Sequence, residues 1–196
     1  MVLYRYTKCL SMTQVAEWRH NLTPIQAQVK HMREILRYIA ERASELGGTP
    51  QIYYSVENNT LGEAALITIS DLGEENFAGL FLSEPIRKGH VRKFRKGFNT
   101  THRSKVTACS QLKNMIEQHK MVIKSKPLIS ELKTFVAHGV GFGAKTGEHD
   151  DLVSSTLLVI RMASVLADWD PQIYEKMTER LTEDQMPMPI YITSVF

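Results

Sequence analysis

Residues Gln51 to Ile69 read QIYYSVENNTLGEAALITI. The first seven are rich in aromatic and β-branched types, which predicts a strand that ends on Glu57. The polar NNT that follows breaks the strand. The apolar run from Leu61 to Ile69 predicts a helix directly after it. A strand feeding a helix belongs to α/β architecture. Open α/β sheets place functional groups beyond the carboxyl ends of their strands, which makes Glu57 a candidate site residue. A solvated glutamate at a strand end would leave the same pattern.

Working outward, Val2–Tyr6 and Thr13–Trp18 predict an antiparallel pair joined around Leu10 and Ser11. NLTPIQAQ supplies a helix start, with Thr23 as N-cap, Pro24 at the first helical position and Gln26 closing a capping box. Ile25, Val29, Met32, Leu36, Ile39, Ala43 and Leu46 form one apolar stripe, and Gly47 and Gly48 stop the helix. On the other side, FAGLFLS predicts a strand and the basic stretch after it a loop or hairpin. Val106, Cys109, Leu112, Met115, Ile116 and His119 mark a second long helix. MVIK is short and extended. Leu128, Leu132 and Phe135 mark a further helix opened by SKP, HGVGFGAKTG a glycine-rich strand or loop, and Leu152–Leu166 a helix apolar on most faces and so buried. Beyond DWDP come a charged helix, PQIYEKMTERLTEDQ, and a Pro-flanked strand, MPMPIYITSV. The expectation is an α/β domain with a mixed sheet over residues 1–168, and a helix-and-strand extension over 169–196.

A chain of 196 residues with 43% hydrophobic and 23% charged residues can bury a core without staples. Its two cysteines, Cys9 and Cys109, lie far apart and form no zinc or redox spacing, which points to a reducing compartment. No run is long and apolar enough to span a bilayer, and MVLYRYTKCL lacks a signal-peptide core, so no membrane is expected. The net charge of +3 is unevenly spread. RKGHVRKFRKGFNTTHRSK, Arg87–Lys105, contains no acid. That is the footprint of a polyanion partner, although a solvated basic loop has the same composition.

GEHDDLVSS, Gly147–Ser155, sets Glu148, His149, Asp150 and Asp151 before the most apolar helix. One aspartate is explained as a cap at the positive end of the helix dipole. Two adjacent carboxylates exceed that need, and a divalent cation would relieve their repulsion. Hard ions such as Mg²⁺ or Mn²⁺ take such oxygens. Both readings, cap and metal site, are open at this level. Upstream, GVGFGAKT comes close to a phosphate-binding loop, but Ala144 replaces its glycine and no helix follows Lys145, so ATP is not expected. Lys145 remains a candidate phosphate contact. Trp18 and Trp169 read as packing residues, Cys109 as core, and His31 and His119 as structural or solvated. His138 precedes the glycine stretch without a clear role.

VENNTLG, then TTHRSKVTACSQLKNMIE, LISELKTFV and GEHDDLVSS, in this order over nearly the whole chain, resemble the C-terminal nuclease domain of tailed-phage large terminases, the T-even-like myovirus group above all. QVAEWRHN and PIYITSV fit as well. The resemblance implies a ribonuclease-H-like fold and a metal-dependent endonuclease that cuts concatemeric double-stranded DNA during packaging. It implies two-metal phosphodiester hydrolysis. It places Glu57 on the family's strand acid and Asp151 on its helix acid, with Asp150 and His149 as neighbours. Arg92, Lys93, Arg95, Lys96, Arg103 and Lys105 become candidate backbone contacts with little sequence readout. The implied partners are the terminase ATPase domain or an N-terminal chain, the small terminase subunit and the portal of the procapsid, in the cytoplasm of an infected bacterium. The family's first catalytic aspartate lies on a strand upstream of the first hairpin seen here. This chain has no Asp before Asp71, and Glu17 is the only acid before the first helix. The expectations are weak metal binding, weak cutting, and a sheet with a vacant central position open to strand addition. A non-catalytic DNA-holding module, or another ribonuclease-H-like enzyme such as a resolvase, are the rival readings.

Overall fold

A computed structural model describes residues 1–6, 11–49, 51–88, 91–169 and 190–194. They form a mixed α/β fold. The elements in chain order are β1 (Val2–Tyr6), β2 (Met12–Glu17), α1 (Ile25–Glu45), β3 (Ile52–Val56), α2 (Thr60–Leu72), β4 (Leu80–Phe81), β5 (Glu84–Lys88), β6 (Val91–Arg95), α3 (His102–Glu117), β7 (Met121–Val122), α4 (Lys126–Thr134), β8 (Phe135–His138), β9 (Gly141–Ala144), α5 (Asp151–Trp169) and β10 (Ile190–Ser194). A single 3₁₀ turn, Glu74–Asn76, links α2 to β4.

The main sheet has the order β4-β3-β10-β1-β2-β7. β10 runs parallel to β3 and antiparallel to β1, with Thr193 opposite Ser55 on one side and Val2 on the other. The vacant central position expected from the sequence is therefore not found. β10 fills it, satisfying the backbone groups of both neighbours. Two hairpins, β5–β6 and β8–β9, stand apart from the main sheet.

Alternation along the strands divides the core in two. Val2 and Tyr4 of β1 and Tyr53 of β3 face α3, α4 and α5, where they meet Leu112, Leu128, Leu152 and Met162. Ile52, Tyr54 and Val56 face α1 and α2 and pack on Val29, Met32, Leu36, Ala65 and Ile69. β3 is buried along its whole length, as a strand covered on both faces must be.

Several local expectations change. Thr23 does not cap α1. Its hydroxyl pairs with His20 Nδ1 at 2.7 Å, and Pro24 takes the cap position with no side-chain bond. The stop signal holds: Gly47, at φ +75°, and Gly48 return their N–H groups to Ser44 and Ala43, closing a Schellman turn. FAGLFLS yields only the two-residue β4, because Phe77 is drawn into the α1–α2 core. Phe135 opens β8 instead of closing α4. GVGFGAKT is the turn and second strand of a hairpin. The link at Thr7–Leu10 and the charged segment before β10 lie outside the described residues. No helix among the described residues is long and apolar enough to cross a membrane.

Candidate functional site

Glu57 stands one residue beyond β3. Its backbone is held in a parallel bridge with Phe98, whose N–H donates to Val56 O while Asn58 N–H donates to Phe98 O. α2 begins almost at once, capped by Asn59, whose Oδ1 accepts from Gly62 N–H at 2.7 Å. Gly62 is required here. A Cβ on it would lie 1.6 Å from Glu57 O, so only glycine lets α2 turn back this closely over the strand end. Asn59 Nδ2 donates to Glu57 Oε2 at 3.2 Å, which orients the half-buried carboxylate.

α5 reaches the same end of the sheet. Thr193 Oγ1 donates to Ser155 O, and Tyr4 OH pairs with Thr156 Oγ1 at 3.1 Å. These bonds fix the second turn of α5 beside the Thr193–Ser55 level of the sheet, and Ser154, one residue earlier, shares a cavity with Glu57. Its orphan N–H groups are not taken by either aspartate side chain. Leu152 N–H and Val153 N–H both donate to Glu131 Oε2, at 2.8 and 3.1 Å. Glu131 comes from α4, is 6% exposed, and is also bridged by Arg19 at 3.0 Å. Burial pushes its carboxyl above the usual range, against the opposing pull of the two N–H bonds. Glu131 escaped the sequence reading. Its one signal was an acid three residues after Leu128, on the apolar side of a short helix.

With the cap supplied from α4, the adjacent aspartates part. Asp150, half-buried, turns toward α3, where Lys105 Nζ lies 3.3 Å from its Oδ2. Lys105 also lines a small cavity of about 50 Å³ with Glu57, Thr100, Ser154 and Arg161. Asp151, exposed, turns the other way. It borders a larger cavity of about 470 Å³ with Met1, Trp18, Asn21, Gln28 and Leu61. Lys105 thus links Asp150 to the cavity that Glu57 lines, whereas Asp151 borders a different cavity. Glu148 and His149 are exposed on the approach to α5.

The basic candidates also separate. Arg92, Lys93 and Arg95 lie on β6. Lys96 is exposed and pairs with Glu74 at 3.1 Å. Arg103 is exposed in the first turn of α3, and Lys105 faces inward. That turn carries His102, Arg103 and Lys105 and no acid, under a Thr101–Ser104 capping box. Cations there add to the positive end of the helix dipole and suit an approaching anion. Lys145 is exposed after β9, its N–H donating to Thr134 O. Glu17 ends β2 opposite Val2, paired with Gln14 and bordering a separate cavity with Lys124 and Ser125. Trp18 packs its ring near His20 and His31. Cys109 is half-buried with its thiol pushed up by burial, and the Trp169 side chain lies outside the described residues.

Carboxylate oxygens of this kind suit a hard divalent ion. Among the described residues, however, no three acidic, histidine or cysteine side chains gather as one metal-holding group. As arranged, Lys105 neutralises Asp150. No protein-family model matches the chain.

Proposed function

We propose that the chain is a ribonuclease-H-like endonuclease domain of the large-terminase kind, acting on double-stranded DNA. One observation carries the reading: Glu131 caps α5, so neither Asp150 nor Asp151 serves as the side-chain cap that would have explained one of them. They stand with Glu57 at one end of a mixed sheet, beside a helix start that bears only cationic charge. The order of the sequence motifs adds the family. In this reading Glu57 and Asp151 are the principal acids and Asp150 assists. Arg103 and the β6 residues Arg92, Lys93 and Arg95 touch the phosphate backbone, with Lys96 and Lys145 at the margin. Mg²⁺ or Mn²⁺ belongs to the reading as the ion that carboxylate donors favour. The packaging ATPase, the small subunit and the portal are the partners of the whole assembly.

A second reading, a DNA-holding module without catalysis, is favoured by β10. The central strand IYITS carries no acid beside Glu57. Plasmid nicking in Mn²⁺ separates the two, with Glu57→Ala and Asp151→Ala alongside. The nuclease reading expects nicking by the wild-type chain that both variants abolish while duplex binding persists. Nicking no greater than that of the variants, with binding retained, would leave the module.

A further inference from the structure

Lys105 is oddly placed for a surface lysine. It sits in the first turn of α3, where the dipole disfavours a cation. Its N–H donates to Thr101 O, so the backbone there is ordinary helix. Solvent would be the easier destination for its ammonium. Instead the side chain is 26% exposed and folds inward. Nζ lies 3.3 Å from Asp150 Oδ2 and 5.6 Å from the centre of the Phe135 ring, whose face attracts a cation. The stem closes one wall of the cavity that Glu57 and Ser154 share. Two elements distant in sequence, α3 and the β8–β9 hairpin, therefore hold one ammonium against one carboxylate.

We infer that Lys105 is a positioning residue that acts as the built-in counter-ion of Asp150 and competes with a divalent cation for it. The inference rests on the nuclease reading above, in which Asp150 assists the metal-binding acids. An ammonium and a metal ion cannot both lie within bonding distance of the same carboxylate oxygen without mutual repulsion. While Lys105 is in place, Asp150 is neutralised at no cost in bound ions. Removing the charge leaves Asp150 with unmet acceptor capacity, which a hard cation satisfies.

The test is Mn²⁺ binding to the whole chain, followed by the electron paramagnetic resonance signal of the free ion. Lys105→Met keeps the length of the stem over Phe135 and removes only the charge. It is expected to bind Mn²⁺ at least fivefold more tightly than wild type, and Lys105→Arg to return to wild-type affinity. The gain must pass through Asp150. In Lys105→Met/Asp150→Asn it should vanish, which a general loss of positive charge would not produce. Thermal melts of each variant confirm folding. Equal Mn²⁺ affinity in wild type and Lys105→Met, or a gain that survives Asp150→Asn, overturns the inference and leaves the nuclease reading standing. Absence of Mn²⁺ binding in every variant overturns both.

Discussion

Tyr4 and Tyr54 are both fully buried, on opposite faces of one sheet, and their hydroxyls are treated differently. Tyr4 OH reaches Thr156 on α5, whereas Tyr54 OH has no hydrogen-bond partner among the described residues. The contrast extends to the whole of each face. Toward α1 and α2 the contacts are apolar, with Tyr54 packed between Phe77 and Phe81. The ion pairs there, such as Arg42–Glu45, lie outside on exposed helix, where they add little. Toward α5 the buried contacts are threaded with polar bonds. Arg161, 10% exposed, donates to Glu84 Oε1 at 2.7 Å, to Thr100 Oγ1 and to Asn99 O, and lies over Phe98. Glu131, Thr156 and Thr193 add further bonds. One face supplies cohesion, and the other fixes the direction of a helix end.

The largest break in this contrast should come from Arg161→Ala. It removes a buried guanidinium with its bonds to Glu84, Thr100 and Asn99 and its packing on Phe98, and leaves the half-buried Glu84 with only the Asn99 N–H among the described residues, at a cost of about 4 kcal/mol. Urea unfolding measures it, and a loss below about 1 kcal/mol would show that the polar network is ornamental. On the apolar face Leu36→Ala should cost about 3 kcal/mol through lost burial and the residual cavity. Its effect should be insensitive to pH, unlike changes on the other face.

Glu131 sharpens the comparison through pH. Its carboxyl is raised above the ordinary value of 4.5 by burial. The folded state therefore holds the proton more tightly than the unfolded chain. The stability contributed this way is fully present below the ordinary value and is lost as pH rises through the raised one. Glu131→Gln should flatten that decline, as followed by urea midpoints across mildly acidic pH. An unchanged slope would assign the decline to other groups.

The smallest effects fall on the tyrosines themselves. Tyr4→Phe should cost about 1 kcal/mol by removing one of the two hydrogen bonds of the buried Thr156 hydroxyl, which keeps its bond to Leu152 O, while Tyr54→Phe should be neutral or slightly stabilising because its hydroxyl has nothing to lose. Burial pushes the Tyr4 hydroxyl up to about 12 from 10.0. Its contribution is thus intact below the lower value and lost as pH climbs through the higher, a loss that Tyr4→Phe removes. Equal costs for the two substitutions would erase the asymmetry between the faces.

Where structure is decided locally, the residues announce it. The β3–α2 unit follows from aromatic and β-branched types, the Asn59 cap and one obligatory glycine, all within a dozen residues. α1 is legible from its stripe because Val29, Met32 and Leu36 recur at helical spacing and are buried. Glu57, Asp150 and Asp151 stood out as candidates because each is an acid at an element boundary. What could not be read depends on partners far along the chain. Nothing in GEHDD tells that Glu131 caps α5 in place of an aspartate. Nothing in TTHRSK distinguishes Arg103, which faces water, from Lys105, which faces Asp150. Phe135 fits the apolar stripe of α4, yet its ring pairs with Phe142 across the hairpin and leaves the helix. IYITS reads as a strand, but its neighbours are set by tertiary pairing.

The position of β10 has a consequence for how the chain acquires its shape. Val2 is bonded into register with Thr193, so the middle of the sheet joins segments far apart in the sequence. Such a pairing carries the entropy of closing a very long loop, which slows folding. During synthesis on the ribosome, β1 and β3 emerge long before the strand that separates them. Until it arrives each has one side unpaired, and a nascent chain in that condition is exposed to wrong partners.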